Sequence, residues 1–306
     1  MSSERRVGEG SLTSMQPKSD VVPILGPSIA VAMVLGRPTD LYSFAMGFLW
    51  LELHLLTFEI KNQIIGVDED RLSKPDRPIA AGRISVASAQ RLYIFVALCA
   101  IALSVYHGLI ACTSIYMVAI VCYNEFRLSR HWFFKSFLGA IGYAVYCCQW
   151  GTTSIFDHGN VLSPTSVVAI VCSFLLHVTT GHAQDFRDLS GDAAIGRRTL
   201  PMLLPPTFAR WSLTFLMALW TAALVALWTA ALVALWKPPL AAVVFFVVLG
   251  AIASLRFVRN GARSVTNTEL EDADGDAYWW YNMWLITAHL LPLSTTVVDP
   301  LAFLCV

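Results

Sequence analysis

The sequence predicts an all-α integral membrane protein with nine transmembrane helices. Hydrophobic residues make up 56% of the 306-residue chain and charged residues only 14%, whereas soluble domains carry about a quarter charged residues. Several apolar runs reach the ~20 residues that cross a bilayer core about 30 Å thick. A nine-span topology also places nearly all of the basic residues on one side of the membrane, as the positive-inside rule expects. These observations exclude a water-soluble globular fold.

The nine predicted helices follow from the positions of the apolar runs. They cover residues 21–36, 41–60, 86–106, 108–124, 135–153, 162–182, 207–236, 238–257 and 278–298. The first is short and contains Pro23 and Pro27, which predicts a bent or broken helix. In the seventh, the sequence ALWTAALV occurs twice in succession, at 218–225 and 226–233. A tandem duplication of this length adds about 12 Å of helix.

The basic residues give the predicted orientation. With the N-terminus in the cytoplasm, all of the 21 lysines and arginines except Arg37 and Lys237 lie on the cytoplasmic side. Residues 1–20 are polar and have no signal-peptide core. We expect them to be a flexible cytoplasmic tail, with residues 21–306 as the transmembrane domain.

Composition narrows the remaining classes of function. The formal net charge is zero and no basic stripe appears, so we expect no nucleic-acid partner; nothing in the sequence indicates an obligate protein partner. The seven cysteines show no CxxC or metal-ligand spacing. They are therefore expected to be free thiols that pack as small hydrophobic residues.

The loop after the second predicted helix carries the first cluster of acidic residues. Four positions recur at helical spacing on one face: Glu59, Asn62, Gly66 and Asp70. Asp68 and Glu69 flank that face. Polar groups that project into a membrane bundle are costly and usually functional, so this face is a candidate site.

The loop after the sixth predicted helix carries a second cluster, in which Asp185, Asp188 and Asp192 recur at intervals of three and four and are expected to share a helical face. Adjacent like charges demand a counterion, and magnesium suits carboxylate oxygens together with substrate phosphates. Basic residues follow both clusters and would bind phosphate oxygens: Arg71, Lys74, Arg77, Arg197 and Arg198. The alternative is that both loops are solvated caps with surface ion pairs, which their matched design disfavours.

A third acidic segment, EDADGDAYW, contains Asp272, Asp274 and Asp276. Its glycine stands at the wrong offset for a calcium-binding EF-hand, and no bidentate glutamate follows. We expect this segment to be a solvated linker or a lid.

The two acidic motifs resemble those of the UbiA superfamily of intramembrane prenyltransferases, over residues 21 to about 298. Asn62, Asp70 and Arg77-Pro78 match the first family motif, although Gln63 and Gly66 replace its first two aspartates. The second motif is matched by Asp188, Asp192, Gly196 and the run 199–201, and residues 123–135 resemble the segment that lines the diphosphate site. The altered first motif is most similar to that of the fungal UbiA-type terpene cyclases.

The resemblance implies a helical bundle that encloses a central cavity, with Mg²⁺ as the cofactor. The implied catalytic residues are Asn62, Asp70, Asp188 and Asp192. The implied metal ligands are Asn62, Glu69, Asp70, Asp185, Asp188 and Asp192. The implied diphosphate-binding residues are Lys74, Arg77, Tyr123, Arg127, Lys135, Arg197 and Arg198.

The resemblance implies ionisation of a polyprenyl diphosphate, either C15 farnesyl or C20 geranylgeranyl, within an endoplasmic reticulum membrane. In a cyclase the substrate's own double bonds attack the cation; in an aromatic prenyltransferase a phenolic acceptor attacks it. A transporter with an acidic ion site is a third class, but it needs acids at mid-membrane.

Candidate cation-stabilising aromatics are Tyr143, Tyr146, Trp150, Trp279, Trp280 and Trp284. Candidate bases, if they are not structural, are His54, His177 and His182.

Overall fold

The computed structural model describes residues 40–142, 151–156, 164–230, 240–263 and 266–291. These residues form helices joined by short turns, and their only β-bridge pairs His131 with Arg198. Two 3₁₀ turns cover Leu128–Arg130 and Gly181–Phe186. The α-helices are α1 (Leu41–Ile65), α2 (Val67–Ser73), α3 (Val86–Tyr106), α4 (Ile110–Asn124), α5 (Trp132–Gly142), α6 (Gly151–Phe156), α7 (Pro164–Thr180), α8 (Leu189–Ala194), α9 (Leu200–Leu203), α10 (Pro206–Ala230), α11 (Leu240–Gly261) and α12 (Asn267–Leu290).

Five helical segments are long and apolar enough to cross a bilayer: Leu41–Ile65, Val86–Tyr106, Val167–Phe186, Pro206–Leu227 and Leu240–Gly261. The chain is therefore a multi-pass membrane protein, as predicted. The nine-helix count is not confirmed. The predicted span 21–36 lies outside the described residues, as do part of 135–153 and the end of the duplicated helix, and α4 has only 15 residues.

The described residues form two hydrophobic cores, one in the N-terminal half of the chain and one in the C-terminal half. The N-terminal core joins α1, α4 and α6, and it includes Trp50, Leu55, Tyr116 and Ile155. The C-terminal core joins α7, α10, α11 and α12. Helix α5 packs against both α4 and α7. The four cysteines at positions 99, 112, 122 and 172 are free thiols, as predicted.

Hydrogen-bonded polar groups hold the N-terminal core together. His54 Nδ1 lies 2.7 Å from the Trp50 carbonyl oxygen, and His54 Nε2 lies 2.9 Å from Thr113 Oγ1. Trp50 Nε1 donates to Ser104 Oγ at 2.8 Å. Gly151 lets α6 approach this network, because a Cβ there would lie 2.1 Å from the Trp50 ring. His54 therefore has a structural role in this core.

The prediction that residues 271–276 form a linker or lid is wrong. They lie inside α12, which begins with a capping box between Thr266 and Glu269. Asp274 is fully buried, and Arg210 donates to both of its carboxylate oxygens. The cap starts the helix before the acidic run, and the buried arginine supplies the charge that Asp274 requires.

Candidate functional site

Both acidic loops open onto one cavity within the helical bundle. Ten of the thirteen predicted site residues line it: Asn62, Glu69, Asp70, Lys74, Arg77, Tyr123, Lys135, Asp185, Asp188 and Arg197. These residues lie at the ends of α1 and α4, in α2, α5 and the Gly181–Phe186 turn, and in the segments that follow α2 and that turn. Two acidic segments more than one hundred residues apart thus share one polar cavity mouth, and Tyr123 and Lys135 complete it.

The first loop keeps a near-continuous helical path through Gly66. The Gly66 N–H donates to the Asn62 carbonyl at 2.8 Å, and the Asp70 N–H donates to the Gly66 carbonyl at 2.8 Å. This path places Glu59, Asn62, Gly66 and Asp70 along the cavity wall. The predicted common face is confirmed at all four positions.

Asp70 meets its basic partner within the same loop. Arg77 Nη1 lies 2.9 Å from Asp70 Oδ1 and 3.1 Å from Oδ2. The Asp70 carboxylate is almost fully buried, so an unpaired charge there would be costly. By contrast, Arg71 pairs with Asp68 at the exposed surface.

The second loop does not present its three aspartates on one face. Asp185 and Asp188 line the cavity, whereas Asp192 is buried outside the lining. The physical reason is that Asp185 lies in the Gly181–Phe186 3₁₀ turn and Asp192 in α8. A 3₁₀ turn has three residues per turn, so the α-helical spacing assumed from the sequence is not kept.

Lys135 of α5 joins two of these carboxylates. Its Nζ lies 2.6 Å from Asp185 Oδ1 and 3.1 Å from Asp192 Oδ2. Arg197 Nη1 donates to Asp192 Oδ1 at 2.8 Å. Asp192 therefore holds two basic side chains in place at the edge of the cavity, although it does not face the cavity itself.

Ion pairs also connect the two loops directly. Arg197 Nη2 lies 3.3 Å from Glu69 Oε1. Lys74 Nζ lies 3.9 Å from Asp188 Oδ2, a longer and weaker contact. Two ion pairs thus join the two loops. The first loop supplies the acid in one pair, Glu69, and the base in the other, Lys74.

The pKa values of two loop carboxylates, Glu69 and Asp188, are shifted in opposite directions. Burial raises the pKa of Glu69, and Arg197 offsets only part of that shift. Burial also favours protonation of Asp188, but the cations of Arg187 and Lys74 outweigh it, so the pKa of Asp188 lies below its ordinary value. Arg187 and Lys74 therefore favour the ionised form of Asp188.

Arg127 and Arg198, two of the predicted diphosphate-binding residues, lie outside the cavity lining and are exposed. Arg127 adopts a left-handed backbone conformation with φ of 53°. The Arg198 N–H donates to the Arg130 carbonyl at 3.1 Å and so closes the β-bridge. The structure thus brings these two arginines near the loops but not into the cavity.

Several residues that line the cavity were not singled out from the sequence: Phe58, Tyr116, Ser136, Gln184 and Tyr278. Helical periodicity identifies none of them, because which face of a membrane helix points inward depends on tertiary packing. Of the aromatic candidates, Trp279 is half-exposed and Trp284 is packed in the C-terminal core. Trp280 contacts Arg256. Tyr143, Tyr146 and Trp150 lie outside the described residues.

The donor set suits magnesium, which prefers oxygen ligands and is usually bound by one or two carboxylates plus substrate phosphates. Asp70, Asp185, Asp188 and the Asn62 amide supply such oxygens at one mouth. Among the described residues, no three acidic, histidine or cysteine side chains form a preformed metal cluster. The carboxylates are instead balanced by Arg and Lys, so phosphate oxygens would have to complete any magnesium site.

The comparisons with known proteins agree with this architecture. Residues 24–290 match the profile of the UbiA prenyltransferase family. The chain is 43% identical to the fumagillin beta-trans-bergamotene synthase of Aspergillus fumigatus, across 90% of this chain and 89% of that protein. It is 30% identical to a polyprenyl transferase of Hericium erinaceus, across 63% of this chain and 67% of that protein.

Among solved structures, a UbiA homologue from Archaeoglobus fulgidus bound to DMAPP and Mg²⁺ has the same fold. The TM-score is 0.62 at 15% identity, across 89% of this chain and 95% of that one. The cavity, the two acidic loops and the family profile are therefore consistent with one another. This chain belongs to the UbiA prenyltransferase family and is an enzyme of that kind.

Proposed function

We propose that this enzyme is a magnesium-dependent membrane terpene cyclase. It ionises a linear polyprenyl diphosphate, C15 farnesyl or C20 geranylgeranyl, and closes the chain to a terpene hydrocarbon. The observation that carries the proposal is the convergence of both acidic loops, with their basic residues, on the mouth of one cavity. Beyond the mouth, that cavity is lined by apolar and aromatic groups such as Leu138, Ile120 and Phe58.

The proposed mechanism begins at the mouth. Lys74, Arg77, Lys135 and Arg197 bind the diphosphate oxygens, and their carboxylate partners hold them in position beforehand. Magnesium, held by Asp70, Asp188, Asp185 and Asn62, would supply Lewis-acid stabilisation of the leaving group. The C–O bond breaks and its electron pair leaves with the diphosphate. Fixed positive charge at that position stabilises the developing anion.

The rest of the cavity controls what the allyl cation meets. Apolar walls exclude water, which would otherwise capture the cation as an alcohol. Phe58 and Tyr116 contribute aromatic rings to the cavity wall, and these would stabilise the migrating charge. The substrate's own double bonds are then the available nucleophiles, and this favours ring closure.

Similarity to the bergamotene synthase supports cyclisation over transfer to a phenolic acceptor. The polyprenyl transferase relative keeps aromatic prenyl transfer as the alternative. We further propose that the loops face the cytoplasm and that the host membrane is the endoplasmic reticulum. This placement rests on the distribution of basic residues and on the isoprenoid substrate.

The test is to incubate purified protein with Mg²⁺ and farnesyl or geranylgeranyl diphosphate, with no acceptor, and to analyse hydrocarbons by gas chromatography–mass spectrometry. A cyclic hydrocarbon that disappears with EDTA supports the proposal and fixes the chain length. If neither diphosphate is consumed until an aromatic acceptor is added, the enzyme is a prenyltransferase. Activity that persists in EDTA contradicts magnesium dependence.

A further inference from the structure

One cavity-lining group takes no part in diphosphate binding or ionisation. His177 lies on α7, is 4% exposed, and lines the same cavity as the two loops. Among the described residues that line the cavity, it is the only histidine. A buried imidazole in an apolar reaction chamber is a candidate proton acceptor.

The position of one proton on the His177 ring follows from its neighbour. His177 Nδ1 lies 2.7 Å from the Ser173 carbonyl oxygen. A carbonyl only accepts hydrogen bonds, so Nδ1 carries the hydrogen and the neutral ring has its lone pair on Nε2. The basic atom is thereby assigned to Nε2, and the ring is held by its own helix one turn away.

The other described histidines of the bundle differ in their surroundings. His289 Nε2 lies 2.8 Å from Ser173 Oγ, and its Nδ1 lies 2.7 Å from the Leu285 carbonyl. His54 is hydrogen-bonded at both nitrogens within the N-terminal core. Neither these two nor His182 lines the cavity. Only His177, within the described chain, combines cavity access with an imidazole base.

His177 also lies well below the cavity mouth. Three α-helical steps and five 3₁₀ steps separate it from Asp185, which corresponds to about 14 Å of rise. Helix α5 runs alongside, with Lys135 at the mouth and Gly142 further along the same cavity. His177 is therefore placed to meet the isoprenoid chain rather than the diphosphate.

We propose that His177 is the catalytic base that takes the final proton in the cyclisation, an assignment that rests on the terpene cyclase function proposed above. The last carbocation loses a proton from the carbon next to the cationic centre, and Nε2 receives it. The C–H electron pair becomes the new C=C bond, and imidazole becomes imidazolium. After the hydrocarbon leaves, the imidazolium gives this proton to water that enters the emptied cavity, which restores the neutral ring.

The experiment compares His177→Asn with wild type, measuring diphosphate release and hydrocarbon products separately. Asparagine keeps a donor for the Ser173 carbonyl but has no basic atom at the Nε2 position. We expect diphosphate release within about threefold of wild type. We expect the main hydrocarbon to fall by about 100-fold, the scale of one lost general base, with alcohols or alkenes of different double-bond position in its place.

Two controls make the outcomes decisive. His182→Asn replaces a buried histidine outside the cavity lining and should leave the product pattern unchanged. Imidazole added to His177→Ala should restore the main hydrocarbon, whereas non-basic pyrrole should not. An unchanged product pattern in His177→Asn overturns the assignment, as does an equal loss of diphosphate release and hydrocarbon. If wild type forms no hydrocarbon at all, the cyclase function itself fails and the assignment fails with it.

Discussion

Arg210 and Asp274 form a buried ion pair with two parallel hydrogen bonds. Arg210 Nη1 lies 2.7 Å from Asp274 Oδ1, and Nη2 lies 2.6 Å from Oδ2. Asn260 of α11 donates to the same carboxylate at 2.9 Å. The guanidinium also lies over the ring of Phe186, next in sequence to Asp185. This pair therefore links α10, α11 and α12 directly beneath the second acidic loop.

We expect Asp274→Ala to destabilise the protein by about 3–5 kcal/mol, because it leaves a buried guanidinium without its counterion. Thermal unfolding of the purified protein in detergent measures the loss. Asp276→Ala is the matched control on the same helix. Its carboxylate and Arg256 are each about 40% exposed, so its loss should cost no more than about 1 kcal/mol. Equal unfolding temperatures for the two variants would contradict a special role for the buried pair.

We expect Asp188→Ala to reduce the rate of diphosphate release by at least about 100-fold. Asp188 lines the cavity, and its lowered pKa keeps it ionised at neutral pH. The folded fraction, judged by gel filtration and melting temperature, should change little because its pairs with Arg187 and Lys74 are long, at 3.7 and 3.9 Å. Asp68→Ala, at an exposed carboxylate, is the control. Wild-type turnover in Asp188→Ala would remove this residue from the reaction.

The pH dependence of stability should report Glu69. Its folded-state pKa is raised above the ordinary 4.5, so the folded state binds the proton more tightly and stability falls as pH rises across that interval. Asp188 acts in the opposite direction and in a separate window: its stabilisation is lost as pH falls below the ordinary 3.8 towards its lowered folded pKa. We expect Glu69→Gln to show a smaller fall in melting temperature above pH 4.5 than wild type. If the melting temperatures of wild type and Glu69→Gln changed with pH in the same way from about pH 4 to 7, the raised pKa of Glu69 would be contradicted.

The sequence predicted most of the site because its two signals are local. Apolar runs locate the helices, and the spacing of Asn62, Gly66 and Asp70 survives because hydrogen bonds carry the helical path through Gly66. The spacing of Asp185 and Asp192 fails because a 3₁₀ turn intervenes. No local signal distinguishes that turn from an α-helix.

The start of α12 was predictable in principle. Thr266 and Glu269 form a capping box, a pattern that marks a helix N-terminus in sequence. The acidic residues that follow it were interpreted as a solvated segment, and the helix start was therefore not predicted. The burial of Asp274 was not predictable, because its partner Arg210 is 64 residues away. The inward face of His177 depends in the same way on how α7 packs against its neighbours.

Asp185 and Asp192 share the ammonium group of Lys135. Lys135→Met removes the only cation that touches Asp185 among the described ion pairs, and both carboxylates are nearly fully buried. We expect the variant to lose about 3 kcal/mol of stability and its melting temperature to rise more with Mg²⁺ than that of wild type, because the metal can replace the missing charge. Lys74→Met is the matched control: Lys74 also lines the cavity, but its contact with Asp188 is longer and more exposed. A magnesium-induced shift in Lys135→Met no larger than in Lys74→Met would show that Asp185 does not bind the metal.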